Sequence, residues 1–534
     1  MERIRACNVW KVLVLVLLCQ SSVLASDWPQ YRGPTTDGIS PEPLSTSWPI
    51  TGPAVIWANG SLTNGFSTFA VSQGRAFTLI SKRDDASNLR EYCVAVDAAT
   101  GANLWETPID RAPWDPGSTA NGGDGASGYN TGDGPRTTPS VSSGGIIALS
   151  GLLHLVCLDA TNGSTVWSNN LPSSLGASTI TWENAASPCL DKDLVYVNLN
   201  SSMNNQNLAA FRVSDGSLAW SSQAENVTHT TPVVATIHGI QQVIFATTTG
   251  LVSLDRTSGS FLWKFTYPFS SISTSMGASP VVWSNIVFCT ASYGRGAAAA
   301  QINLDNGNWS VQQLYYKTGL NYRSIWMTPV CFQGYVYSLC GDNSTFLTTP
   351  LNCIELSTGN LMWSTNGFGM GGLILVGTNL LVLKESGQLV LARPSPSAYQ
   401  ELASYQAFQF GAGNPGKCWI SPAFSNGRIY ARSTLGGICL DASVTVPASL
   451  ELLVPQFLSS TQLQLLVSTT DGSPIDSARL AKLALHETDN PDLPPPAWSQ
   501  LTNQLALDPN GRAQAIITID AGSSLRFYRA VESP

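Results

Sequence analysis

Short apolar–polar alternations recur along the chain, and the same two punctuation marks interrupt them again and again. The first mark is an acid, a glycine and a tryptophan at equal intervals. It appears in Val94-Ala-Val-Asp97-Ala-Ala-Thr-Gly101-Ala-Asn-Leu-Trp105 and in Val156-Cys-Leu-Asp159-Ala-Thr-Asn-Gly163-Ser-Thr-Val-Trp167. It returns in Val252-Ser-Leu-Asp255-Arg-Thr-Ser-Gly259-Ser-Phe-Leu-Trp263 and in Cys353-Ile-Glu355-Leu-Ser-Thr-Gly359-Asn-Leu-Met-Trp363. A weaker copy runs through Asp215-Gly216 to Trp220 with Arg212 at the acid position, and another centres on Asn303 and Gly307 with Val311 in place of the tryptophan. The second mark is Ser/Thr-Pro, at Thr138-Pro139, Ser187-Pro188, Thr231-Pro232, Ser279-Pro280, Thr328-Pro329 and Ser421-Pro422.

Both marks belong to short strands and tight turns. A period-2 strand ends at the acid, whose carboxylate can accept backbone N–H groups just ahead of it. Glycine supplies the positive φ that closes the hairpin. The tryptophan then sits on the return strand, where an indole fills the wedge between neighbouring sheets and donates its N–H. Asp97, Asp159, Asp255 and Glu355 are therefore structural first. Proline opens the strand pair ahead of each such hairpin, because at a strand's first residue it forfeits no ladder bond. Two hairpins make a four-stranded blade of about 45–60 residues, the size of a propeller repeat.

Seven such units fit in order between Phe66 and Gln406, the seventh with Glu401-Leu402-Ala403 where tryptophan would stand. An eighth opens at Ile420-Ser-Pro, reaches Ile438-Cys-Leu-Asp441 and lacks an outermost strand. Pro53-Ala-Val-Ile-Trp57 fits that vacancy and removes an open sheet edge. The expected fold is an all-β, eight-bladed β-propeller over residues 26–445, with seven blades as the alternative count. After Asp441 the composition shifts. Leu450 to Val467 and Ala513 to Ala530 alternate around a Pro-rich stretch at Asp489 to Pro496, which predicts a small β-sandwich-like module over 446–534.

Composition narrows the function classes. Only 12% of residues are charged and the formal net charge is −8, with no Lys/Arg stripe to neutralise phosphates, so nucleic acid is not an expected partner. Residues 1–25 combine Arg3, Arg5 and Lys11 with the apolar run Val12 to Leu18 and the small-residue end Val23-Leu24-Ala25, the pattern of an export signal. No later segment is apolar enough to span a bilayer, so a periplasmic or extracellular monomer is expected. Cysteines follow residue 25 at 93, 157, 189, 289, 331, 340, 353, 418 and 439 without a C-x-x-C pair, which indicates no zinc site. Cys93, Cys157, Cys353 and Cys439 are assigned to one buried strand register, and Cys331 with Cys340 is the one local disulfide to test.

The acid-to-tryptophan register resembles the pyrroloquinoline-quinone-type β-propeller repeat, shared by quinoprotein dehydrogenases and the outer-membrane assembly lipoprotein. The opening Asp27-Trp-Pro-Gln-Tyr-Arg-Gly-Pro34, with Gly134-Pro-Arg136-Thr-Thr-Pro139, Gly387-Gln-Leu-Val-Leu391 and Lys417-Cys-Trp419, is similar to exported propellers of planctomycetes and verrucomicrobia. The dehydrogenase relatives imply a quinone and a calcium ion held by acidic and amide side chains, commonly with a disulfide between adjacent cysteines. This chain has no Cys-Cys dipeptide, no haem-attachment C-x-x-C-H, and acids mostly committed to turns. It also lacks Gly-x-Ser-x-Gly, His-Glu-x-x-His and the phosphate-cradling loop. The glycine-rich stretch Gly122 to Gly134 reads as a loop, with Asp124 or Asp133 as a calcium-site alternative.

No catalytic residue and no cofactor is expected; quinone with calcium is the alternative, as an oxidoreductase of alcohols or sugars. The leading expectation is a scaffold that binds an envelope protein or a glycan. Three positions before each strand-opening proline stand Arg136, Ala185, His229, Gly277, Trp326 and Trp419, a ring expected at one mouth of the central channel. Trp182, Tyr129, Arg295, Tyr322, Arg323 and Lys417 are its nearby extensions. Such an aromatic-cationic ring stacks on sugars or planar ligands and binds carboxylates; the competing role for these residues is to plug the funnel.

Overall fold

A computed structural model of the chain describes residues 26–49, 51–113, 134–201, 206–342, 348–409, 415–444, 449–490, 492, 497–519 and 526–532. The expected export signal over 1–25, Tyr129 and the calcium alternative at Asp124 or Asp133 lie outside the described residues. The chain divides into two compact units, Leu24–Val444 and a unit that takes in Thr445–Pro534.

In the first unit the described residues form seven four-stranded sheets and one five-stranded sheet. The first sheet shows the common plan: Ala70–Ser72, Arg75–Arg83, Leu89–Asp97 and Asn103–Arg111, in order, each antiparallel to the next. The last contains Ala423–Ser425, Arg428–Ser433 and Gly436–Asp441, and its fourth strand is Ala54–Asn59, antiparallel to Gly436–Asp441. The seventh carries a fifth strand, Ile39–Ser40, parallel to Gly372–Val376. The whole is a propeller-like arrangement of four-stranded antiparallel blades.

The core lies between sheets rather than inside any one of them. Between the first and second, Phe77, Leu79, Cys93, Ala95 and Trp105 pack on Ile146, Ala148, Val156 and Leu158. Seventh, eighth and first sheets share one cluster that includes Ile374, Leu381, Trp57, Tyr430, Phe69 and Val94.

Four repeat tryptophans lock their sheets to the next one. Trp57 Nε1 donates to Ala98 O (3.1 Å), Trp105 to Ala160 O (3.2 Å), Trp167 to Val213 O (2.8 Å) and Trp220 to Arg256 O (3.3 Å). The same indoles lie flat on the turn glycines: a Cβ on Gly101, Gly163 or Gly259 would meet Trp57, Trp105 or Trp220 at 2.6 Å. Those glycines also hold φ of +71°, +75° and +70°, so both the hairpin and the docked ring require them. The acids stay in their own turns. Asp97 accepts from Ala99 N (3.0 Å) and Thr100 N (2.8 Å), and Asp159 from Thr161 N (2.8 Å) and Asn162 N (3.0 Å). A register shift precedes each of these indoles, and the bulge re-aims it toward the neighbouring sheet.

Four details differ from the expectations. Trp263 turns to its own sheet, donating to Gln242 Oε1 (2.6 Å), and Gly307 has no ring over it. In the fifth sheet Tyr315, not Val311, takes the docking position: it pairs with Ala299 just past the bulge, and Gly359 lies against its ring. Cys157, Cys353 and Cys439 sit opposite Trp167, Trp363 and Trp57, but Cys93 faces Thr107, and Ala95 holds the shared register in the first sheet. All nine described cysteines are free and buried; the hairpin pairs Cys331 with Val336, which leaves Cys340 further along the strand.

The opening Asp27 to Ser45 is a strap across the inner ends of the sheets. Trp28 bridges Val71 (2.8 Å), Pro29 O accepts from Val141 N (2.7 Å), and Gln30 exchanges two bonds with Leu190. Thr36 Oγ1 accepts from Val234 N (3.0 Å), and the buried Arg32 donates to Pro329 O (3.0 Å) and to strap carbonyls. Glu42 accepts from Asn426 N (3.0 Å) and Gly427 N (2.9 Å). The strap thus ties seven of the eight sheets and passes the fifth. A second buried guanidinium, Arg432, joins the eighth sheet to the first through Ser67 O, Thr78 Oγ1, Leu79 O and Leu62 O, at 2.6–3.0 Å. Burial pulls it down to about 9, and it remains charged at neutral pH.

The second unit holds two antiparallel sheets. One contains Leu450–Leu452, Gln456–Phe457, Gln462–Thr469, Ala506–Leu507 and Ala513–Thr518; the other Leu483–Thr488, Ser499–Gln500 and Phe527–Glu532. Leu463, Leu465, Ile517, Leu485 and Tyr528 share one core between them.

Two outcomes follow. Gly101→Ala is expected to cost about 3 kcal/mol, combining left-handed strain with overpacking. Gly239→Ala, at φ +78° with nothing within 4 Å, pays only the strain, about 1 kcal/mol. Urea midpoints of the two variants measure the difference, and equal midpoints rule out the docking role. Arg432→Met strands four buried acceptors and is expected to cost about 3 kcal/mol or more, read the same way.

Candidate functional site

Residues just ahead of the innermost strands gather around one cavity of about 410 Å³. Arg136, Ala185, His229, Gly277, Trp326 and Trp419 all line it, as does Trp182. The geometry also adds Phe66, Tyr31 and Tyr293. Phe66 was legible in principle: the first sheet opens with Thr68-Phe69 where others have Ser/Thr-Pro, and three positions back lies Phe66. Tyr31 comes from the strap, which nothing in the repeat foretells. Its hydroxyl is 3.0 Å from Thr328 Oγ1, so the strap floors the cavity. A second cavity, of about 410 Å³, is lined on the strap by Arg32 and Pro34 to Asp37.

One wall is aromatic and rigid. Trp326 and Trp419 lie 4.9 Å apart between ring centroids with planes tilted by 36°, and Phe66 stacks on Trp419 at 5.6 Å and 14°. Trp419 Nε1 donates to Glu385 Oε1 (2.9 Å), Met370 N donates to Glu385 Oε2 (3.0 Å), and Trp326 Nε1 reaches Met370 O (3.3 Å). One buried carboxylate in the seventh sheet therefore orients both indoles.

The other wall is built from hydroxyls. Thr68 N donates to Thr138 Oγ1 (3.1 Å), Thr138 N to Ser187 Oγ (2.9 Å) and Ser187 N to Thr231 Oγ1 (2.9 Å). This belt runs sheet to sheet, with Ser279 N likewise donating to Thr328 Oγ1 (3.0 Å), and gives the Ser or Thr before Pro139, Pro188, Pro232 and Pro329 a role that the sequence reading gave to proline alone. Arg136 stands above it, with Nη1 on Trp182 O (3.2 Å) and its guanidinium carbon 5.9 Å from the Phe66 ring centre. His229 Nε2 lies 2.9 Å from Thr181 O and so is the protonated nitrogen; burial, then Arg136, lower this imidazole to about 4, so it is neutral at physiological pH.

The remaining cations do not line the cavity. Lys417 is 1% exposed, packed with Nζ 5.3 Å from the Trp419 ring centre and 6.0 Å from Phe66, and burial pulls it down to about 8. Arg323 pairs with Asp342 at 3.4 Å, and Tyr322 donates its hydroxyl to Gly359 O (3.0 Å). Arg295 is turned to Ser270 O (3.0 Å) and to Tyr293 O. It thereby holds Tyr293 at the rim instead of meeting a ligand itself.

Two rim aromatics sit on strained backbone. Trp182 and Glu183 have φ of +75° and +61°, and Tyr293 has +51°. Trp182 and Tyr293 are also 38% and 39% exposed. Left-handed non-glycine residues cost about 1–3 kcal/mol each and persist where a surrounding structure holds them.

Residues 90–323 match the family model described as outer membrane protein assembly factor BamB. No curated protein matches the chain. No helix among the described residues is long and apolar enough to cross a membrane. Among solved structures, the chain is similar to BamB from Moraxella catarrhalis, with 14% identity, covering 70% of this chain and 93% of that one, at a TM-score of 0.46. It is also similar to the quinohemoprotein alcohol dehydrogenase from Comamonas testosteroni, with 13% identity, covering 82% and 84%, at a TM-score of 0.55. That last likeness is one of fold, and the fold is a propeller of four-stranded antiparallel blades.

Proposed function

We propose that this chain is a non-catalytic, exported binding protein that takes a glycan or a protein segment into the cavity at the inner ends of its blades. The reading treats the eight sheets as blades of one propeller whose last blade is completed by Ala54–Asn59, with residues 446–534 as an appended β-sandwich-like module. The observation that carries it is the preset aromatic wall of Phe66, Trp419 and Trp326, oriented by Glu385 before any ligand arrives. Rigid aromatics lose little entropy on binding and offer large contact area. The match to the assembly-factor model over 90–323 supports a scaffold that holds partners.

The quinone-calcium alternative fits the donor set poorly. Calcium takes oxygen ligands with carboxylates prominent among them. The described lining residues supply no carboxylate, and among the described residues no three His, Cys, Asp or Glu gather to hold a metal. Glu385, the buried acid nearest the aromatic wall, already accepts from Trp419 and Met370.

Tryptophan fluorescence of the purified protein, titrated with a panel of oligosaccharides and envelope peptides, tests the binding reading. Quenching that Trp419→Ala weakens at least tenfold is expected. No response to any member of the panel, or dye reduction by alcohols or sugars once quinone and calcium are added, overturns it.

A further inference from the structure

The two walls of the cavity differ in chemistry, and the difference specifies what fits between them. Thr138, Ser187 and Thr231 each spend a lone pair on an N–H from the preceding sheet. A hydroxyl used in this way still has one proton to give. Arg136 adds a permanent positive charge on the same side, from the second sheet. The second, third and fourth sheets therefore present hydroxyls, the Arg136 charge and the lone pair of His229 Nδ1, while the sixth, eighth and first present Trp326, Trp419 and Phe66. No carboxylate stands among the described lining residues, so Arg136 is the charged side chain of that lining and favours an anionic group.

We infer that the cavity binds the terminal residue of an acidic oligosaccharide, with its carboxylate toward Arg136 and the hydroxyl arc and its C–H face against Trp326 and Trp419. This rests on the binding reading above and names its ligand class. Three observations bear on it. The volume of about 410 Å³ lies at the small-ligand end of binding cavities. The strap floors the cavity through Tyr31, so a chain enters by its end and cannot thread through. The exposed Trp182 and Tyr293, held on left-handed backbone, stand where the next sugar would leave the mouth.

The test uses the full chain and four probes: trigalacturonate, its carboxyl-reduced neutral counterpart, a longer oligogalacturonate and 2-naphthoate, read by calorimetry and tryptophan fluorescence. Trigalacturonate is expected to bind at least tenfold more tightly than the reduced trisaccharide, and the longer chain no more tightly per chain end. Arg136→Gln should abolish the discrimination between the two trisaccharides while leaving the thermal midpoint and the weaker affinity in place. Trp326→Ala should weaken both. Equal binding of the reduced sugar, preference for 2-naphthoate, or affinity that climbs with chain length overturns this ligand class and leaves the binding reading standing. Silence from every probe and from the wider panel removes both.

Discussion

The indole that lies on a neighbour's turn glycine is the contact on which the architecture depends. A single four-stranded sheet buries little by itself, and its stability comes from the wedge of side chains it shares with the next. In the wedge between the first two sheets, the ring of Trp105 covers the bare Cα of Gly163 and gives its N–H to Ala160 O. Glycine is required twice there, for its φ and for the missing Cβ. The spacing is read along one hairpin, yet the contact it encodes joins two.

That distinction marks what was legible. Strands, turn acids and glycines follow from local periodicity and turn chemistry, so their places could be assigned residue by residue. The pairing of Trp57 with Gly101 was only inferable from a leftover strand and a missing partner. Tyr315 escaped because the fifth sheet has longer strands, Gly296–Asp305 and Asn308–Lys317, which move the docking position four residues beyond Val311. Counting from the glycine fails there; counting from the bulge does not. Lys417 shows the opposite failure: it stands two residues before Trp419 in sequence, but the fold buries it with Nζ 5.3 Å from the Trp419 ring centre, and it does not line the cavity.

The strap accounts for the least legible part. Its first eight residues resemble a family signature, but their purpose appears only when they are seen crossing the sheets. Gln30 exchanges two bonds with Leu190 of the third sheet's innermost strand, and Arg32 reaches Pro329 O just ahead of the sixth sheet's. Edge groups that would otherwise lack a strand partner are thereby satisfied. The fifth sheet is passed over, and the cavity on that side of the strap is lined by Val281 to Ser284 of its innermost strand.

The belt of Ser/Thr hydroxyls and the strap together determine what the cavity can recognise. Each belt hydroxyl already accepts an N–H that fastens its own sheet to the one before, which leaves its proton and its second lone pair for a ligand. Recognition is thus built from the same bonds as the fold, and a change at Thr138 or Ser187 alters both together. Arg136 is different: its charge is not part of the belt. Selectivity for an anionic group can therefore be separated from stability at that one position, whereas the aromatic wall, tied through Glu385 to the seventh sheet, cannot be moved without disturbing the sheet that orients it.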